Sequence, residues 1–211
     1  MFDYTLVHWL AFLSAAVLLN LSPGPDIAFM LGQTLRSGRR HGFAAMLGGW
    51  SGTALHVAMA AAGLSAILAT SAVAFSVIKW VGAAYLIWLG VKMLLSKGDS
   101  FISNGGGRDA KAQSVYWQGV LVSALNPKVA VFFLAFLPQF VVAGAGPVGA
   151  QLFLHGSLII VVAAFIEPLL VMMGAKLGAF LKASPRVGMW MDRGLGAMFV
   201  ALGARLAAST R

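Results

Sequence analysis

The chain has 211 residues, 60% of them hydrophobic and only 10% charged, with a mean hydropathy of +0.87. An ordinary water-soluble domain carries about 25% charged residues, so this composition excludes one. Cysteine is absent, which excludes disulfides, thiolate metal sites and cysteine catalysis, and the formal charge of +9 sits in short gaps between apolar runs, an orientation signal rather than a nucleic-acid-binding stripe.

In chain order, apolar runs bounded by charged or Gly/Pro-rich gaps predict spans near 6–35, 43–68, 72–95, 116–142, 150–175 and 189–208. Each reaches the roughly 20 residues that a bilayer core of about 30 Å requires. The first run follows no basic segment and no small-residue cleavage site, so it reads as a retained helix rather than a signal peptide. Two of the runs are interrupted by proline, at Ser22-Pro23-Gly24-Pro25-Asp26 in the first and Asn126-Pro127-Lys128 in the fourth. The expected fold class is therefore an all-α polytopic membrane protein with six transmembrane helices, of which helices 1 and 4 are broken.

Cations set the orientation. Arg36, Arg39 and Arg40 fall in the first gap, Lys92, Lys97, Arg108 and Lys111 in or beside the third, and Lys176, Lys182, Arg186 and Arg193 in or beside the fifth. These eleven of fifteen share one side, against Lys79, Arg205 and Arg211 on the other and Lys128 within a span. By the positive-inside rule the eleven face the cytoplasm and both termini face outward. The stretch 96–115, with Asn104-Gly105-Gly106-Gly107, reads as a flexible cytoplasmic linker between a first three-helix repeat (1–95) and a second (116–211). Segment 84–92 can be laid on 197–205 with alanine, leucine and glycine matching and lysine meeting arginine. Halves of odd span number enter the membrane from opposite sides, so this 3+3 repeat is expected to be inverted.

The polar groups of the interior converge on one depth. Asp26 lies ten residues before Arg36, Asn126 ten after Tyr116, and Glu167 nine before Lys176. A rise of about 1.5 Å per residue places all three roughly 15 Å deep, near the midplane. Irregular backbone and charge are tolerated there only where they line a protein cavity, and paired breaks in two halves point to a transporter binding site. Ser22-Pro23 and Asn126-Pro127 read as N-cap and first helical residue of two half-helices, whose partly positive ends suit an anion such as a carboxylate. The candidate substrate- and proton-binding residues are Ser22, Pro23, Gly24, Pro25, Asp26, Asn126, Pro127, Lys128 and Glu167. Asp26 and Glu167 would hold an ammonium group or a proton, and Lys128 would neutralise Asp26 in an empty site. Structural readings stand beside these: Asp26 and Lys128 as a helix-pinning ion pair, Glu167 as a satisfier of the helix turn disturbed by Pro168.

Other motifs weigh less. Gly48-Gly49-Trp50-Ser51-Gly52 has small-xxx-small spacing for close helix packing, and also the Gly-x-Ser-Gly pattern of rhomboid intramembrane serine proteases, with His56 or His155 as the base. A divalent-cation exporter would want several inward carboxylates or thiolates, whereas only two acidic residues lie deep. His56 reads first as a packing or hydrogen-bonding residue, and Trp80, Trp88 and Trp117 as interfacial anchors. No enzyme activity, cofactor or metal is expected; the partners are a small-molecule substrate, protons and the lipid bilayer, with a homo-oligomer left open.

Leu19-Asn20-Leu21-Ser22-Pro23-Gly24-Pro25-Asp26 resembles the LysE/RhtB amino-acid exporter family, as do 38–42, 82–90, Asn126-Pro127-Lys128 and 132–140, in the family's order. The resemblance implies a bacterial inner-membrane exporter of amino acids or close derivatives, driven by the proton motive force. Glu167 is not part of that shared pattern. The resulting expectation is alternating access, with the substrate carboxylate at the two half-helix ends and its ammonium at Asp26 and Glu167.

Overall fold

A computed structural model describes residues 4–22, 24–64, 72–95, 111–183 and 185–208, and every regular element among them is helical. Large apolar side chains cover the exterior as well as the core, and several polar side chains are buried. Leu6, Val7, Leu10, Val81, Leu121, Phe165 and Leu169 are each more than half exposed, whereas Ser22, His56, Ser123, Asn126, Lys128, Gln151 and His155 are buried. Apolar side chains on the rim and hydrogen-bonded polar groups inside suit a hydrocarbon solvent. Trp80, Trp88 and Trp117 are likewise exposed.

Helix α1 (Leu6–Leu21) ends at Ser22, and α2 (Pro25–Ser37) restarts at an angle of 48° to it. The restart explains the angle: proline can occupy the first helical position because its missing N–H would be unpaired there anyway. The residue roles differ from those expected. Ser22 is the C-cap of α1, its N–H donating to the Leu18 and Leu19 carbonyls, and Gly24 is the N-cap ahead of Pro25. Pro23 lies outside the described residues. The first gap is also shorter than expected, a single residue. Gly38 adopts φ +84°, a conformation costly for residues with a Cβ, and joins α2 directly to α3 (Arg39–Met59), which continues as a π-helical turn, Ala60–Leu64.

After α4 (Ala72–Leu94), residues 96–110 of the expected linker lie outside the description, and helix α5 (Ala112–Ala124) already contains 112–115. The second break matches the expectation. Asn126 caps α6 (Pro127–Val131), its Oδ1 accepting from the Lys128 N–H at 3.0 Å. The chain then runs through a π turn (Phe132–Phe136) and a 3-10 turn (Leu137–Phe140), bent by 47° from α5. Helix α7 (Val148–Ala183) passes through Pro168 without interruption and α8 (Pro185–Ala208) follows, so the described residues of the fifth gap are helical rather than a loop. Among the described residues, Val148–Gly174 is the one unbroken helix long and apolar enough to cross a bilayer; each bent pair, α1–α2 and α5 with the segment to Phe140, adds one more if counted as a single span.

Glycine sets the two closest helix contacts. A Cβ on Gly52 would stand 2.6 Å from the Val120 carbonyl oxygen, and one on Gly119 would stand 2.5 Å from that of Ala45, so α3 and α5 touch backbone to backbone. The small-xxx-small reading of Gly48 and Gly52 is thereby met. Helices α4 and α8 meet in the same way: a Cβ on Gly90 would lie 2.6 Å from the Gly196 oxygen, and one on Gly203 would lie 2.9 Å from that of Ala83.

Two apolar cores result. One gathers Phe12, Leu19, Val57, Phe132, Phe133, Phe136, Leu152 and Ile159. The other gathers Ile27, Met30, Leu31, Ala45, Met46, Val115 and Val171.

Candidate functional site

Between the two cores lies a small cavity, part of it open to the outside. Its walls take Leu19, Val129, Phe133 and Ile159 from one core and Ile27, Met30, Ala45 and Met46 from the other. Against that apolar lining stand a few polar groups, Asn20, Asp26, Trp50, Thr53, Ser123 and Glu167. Apolar side chains joined by a handful of placed polar groups are the usual lining of a small-molecule site.

The two breaks meet at this cavity. Lys128, at the second position of α6 and 4% exposed, extends its ammonium to the Ser22 carbonyl at 3.0 Å and the Asp26 Oδ1 at 3.5 Å. Asp26 holds the same second position of α2, with its side chain 26% exposed. A charged donor suits a carbonyl exposed at a helix end, where the helical bonding pattern stops. Gly24 leaves room for this contact, since a Cβ there would stand 2.9 Å from both the Asp26 Oδ1 and the Lys128 Nζ. Two buried polar atoms at the breaks, Ser22 Oγ and Asn126 Nδ2, have no hydrogen-bond partner among the described residues. Orphaned groups of this kind are uncommon, because each costs roughly 1–3 kcal/mol.

The second break is braced from α3. His56 Nε2 lies 3.3 Å from the Ser123 carbonyl, which the ring can only donate to, and Thr53 Oγ1 lies 3.1 Å from Ser123 Oγ. Pro127 has no N–H to offer that carbonyl, which takes the Asn126 N–H at 3.0 Å instead, and His56 adds a second donor. Across the cavity, Trp50 Nε1 donates to Glu167 Oε2 at 2.8 Å. Asn20 Nδ2 donates to the Ala16 carbonyl at 2.8 Å and, more weakly, to that of Ile159 at 3.3 Å, tying α1 to α7.

Of the residues singled out in the sequence, Asp26 and Glu167 line the cavity, Lys128 reaches Asp26, and Ser22 and Asn126 are buried at the breaks behind it. Trp50, Asn20, Thr53 and Ser123 were not legible as site residues. Trp50 lies within the glycine-rich run that reads as packing, and only the fold turns its indole toward Glu167. The protease pattern does not assemble: Ser51 Oγ bonds the Leu47 carbonyl and Tyr116 OH, while His56 faces Ser123.

A cavity between broken helices inside an apolar exterior is the arrangement of a multi-pass membrane transporter. The family model of the LysE type translocators matches residues 17–210, and the chain belongs to that family. It is 31% identical over 199 residues to an uncharacterized membrane protein of Vibrio cholerae, covering 94% of this chain and 96% of the relative. It is 28% identical to a leucine efflux protein of Klebsiella pneumoniae, covering 97% of each. With a homoserine/homoserine lactone efflux protein of Salmonella typhi it shares 29% identity, over 97% of this chain and 98% of the relative. No solved structure matches the chain.

Proposed function

We propose that this protein exports amino acids or close derivatives across the bacterial inner membrane, by alternating access and at the expense of the proton motive force. The observation that carries this reading is the cavity where the two broken helices meet, with an acidic wall at Asp26 and unsatisfied donors at the breaks. The substrate ammonium faces Asp26. Its carboxylate faces the breaks, where Asn126 Nδ2 and the Ser22 hydroxyl have no partner among the described residues and the Lys128 ammonium bonds the Ser22 carbonyl. These donors add to the partly positive N-terminus of α2.

A six-span, 3+3 inverted repeat is the arrangement this mechanism uses, and several features support it. The two broken segments bend by 48° and 47°. Asp26 and Lys128 hold equivalent second positions after Pro25 and Pro127 and pair with each other across the breaks. Shifting Ala83 and Gly90 by the 113 residues that lay 84 on 197 gives 196 and 203, so the Gly90–Gly196 contact maps onto Gly203–Ala83. The cation distribution favours cytoplasmic Arg36, Arg39, Arg40, Lys92, Lys111 and Lys176, with both termini in the periplasm and 96–111 linking the halves.

The test is uptake of labelled leucine, homoserine and a wider amino-acid panel into inverted membrane vesicles, with and without an imposed proton gradient. Gradient-dependent accumulation supports the reading, and no movement of any amino acid under any gradient overturns it. Asp26→Asn should abolish accumulation while the protein still inserts; full activity in that variant removes Asp26 from the site.

A further inference from the structure

The exporter reading leaves open which group carries the coupling proton, and the cavity offers two carboxylates in different situations. Asp26 shares its carboxylate with the Lys128 ammonium, so a proton arriving there would break an ion pair. Glu167 has no ion-pair partner among the described residues. The charged groups it senses are Asp26 on α2 and Lys128 on α6, and the neighbour that binds it is Trp50 on α3. Resting on the proposed function, we infer that Glu167 carries the proton and that Trp50 is the positioning residue that holds it on the cavity wall.

The chemistry of the pair fits this division. An indole N–H can only donate, and it can donate to an ionised carboxylate, more strongly, or to the carbonyl oxygen of a neutral acid. The 2.8 Å bond to Oε2 therefore survives in both protonation states. Oε1 accepts no hydrogen bond from any described residue, and the side chain lines the cavity. A proton can thus join and leave Oε1 without the side chain losing its anchor. A lysine partner would instead hold the acid ionised, and a carbonyl partner would accept only from the neutral acid. In one cycle the O–H bond forms on Glu167 with a proton from the outer side, as substrate leaves. It breaks toward the cytoplasm as the next substrate ammonium enters, so one proton moves in for one substrate moved out.

The experiment compares counterflow, in which labelled substrate exchanges for unlabelled substrate with no net proton movement, with gradient-driven accumulation in the same proteoliposomes. Wild type should show both; a wild type without counterflow of any amino acid would fail the exporter reading itself. In Glu167→Gln, counterflow should persist at a reduced rate while the accumulation ratio collapses to unity. Equal loss of both activities would make Glu167 a substrate-binding group, and retained accumulation would remove it from coupling; either overturns the proposal. Trp50→Phe should lower accumulation more than counterflow, with KM unchanged, and move the pH at which accumulation is half-maximal. Trp50→His, which restores a ring N–H, should recover part of the loss. A Trp50→Phe profile superimposable on wild type would overturn the positioning role. Monodispersity in detergent shows that each variant is folded.

Discussion

Replacing Lys128 by methionine tests the junction of the two breaks most directly, because methionine keeps the length and apolar stem and removes only the ammonium. That ammonium is 4% exposed, 3.0 Å from the Ser22 carbonyl and 3.5 Å from Asp26 Oδ1. At an effective dielectric of 20 the attraction at 3.5 Å is about 5 kcal/mol. The charge-assisted bond to the carbonyl contributes about 1.5–3 kcal/mol. Burying the ammonium offsets several kcal/mol of this, and methionine avoids that cost. Asp26 keeps access to the cavity, so its orphaned charge is partly solvated. The net expectation is a loss of about 1–3 kcal/mol. A reversible detergent-denaturation titration would measure it, with Asp26→Asn and the double variant completing a mutant cycle. Coupling of about 1 kcal/mol or more supports the pair. A Lys128→Met protein as stable as wild type, additive with Asp26→Asn and still transporting, would refute the argument.

Three further outcomes follow from the packing. Gly52→Leu must push α3 from α5, since even a Cβ would approach the Val120 oxygen to 2.6 Å; a loss of about 1–3 kcal/mol should appear as reduced membrane yield and a lower melting temperature. Gln151→Leu removes bonds to the Val142 N–H, the Val142 and Gly146 carbonyls and Tyr4 OH, which together hold the turn before α7; hydrogen exchange at 142–146 should quicken while α3 is unaffected. His56→Ala removes the side-chain donor to the Ser123 carbonyl, which keeps the Asn126 N–H, and should cost about 0.5–1.5 kcal/mol, with His56→Gln restoring part of it in the same titration.

The second break was more legible than the first for a local reason. Asn126-Pro127 is a side-chain cap followed directly by proline, and cap geometry depends on neighbours in sequence. The first break offers two prolines and a serine, and both registers satisfy the same rules. The fold chose Gly24-Pro25, leaving Ser22 to end α1. Gaps were overestimated where charge clusters read as loops, because Arg36, Arg39, Lys176 and Arg186 are helical residues whose charged tips can reach water from a helix end.

Composition and patterning alone determined that this chain belongs in a membrane and that two of its helices are broken, and they predict a common depth for Asp26, Asn126 and Glu167. These follow from helical rise and the cost of polar groups in hydrocarbon, which act on each segment separately. Depth, however, says nothing of azimuth. Only the tertiary structure decided that Lys128 crosses to Ser22 and Asp26, that His56 serves the Ser123 carbonyl, and that Trp50 turns to Glu167. Those pairings join residues 67 to 117 positions apart. Which faces meet is set by where glycine lets backbones touch, so it is a property of the packed helices together and of no single segment.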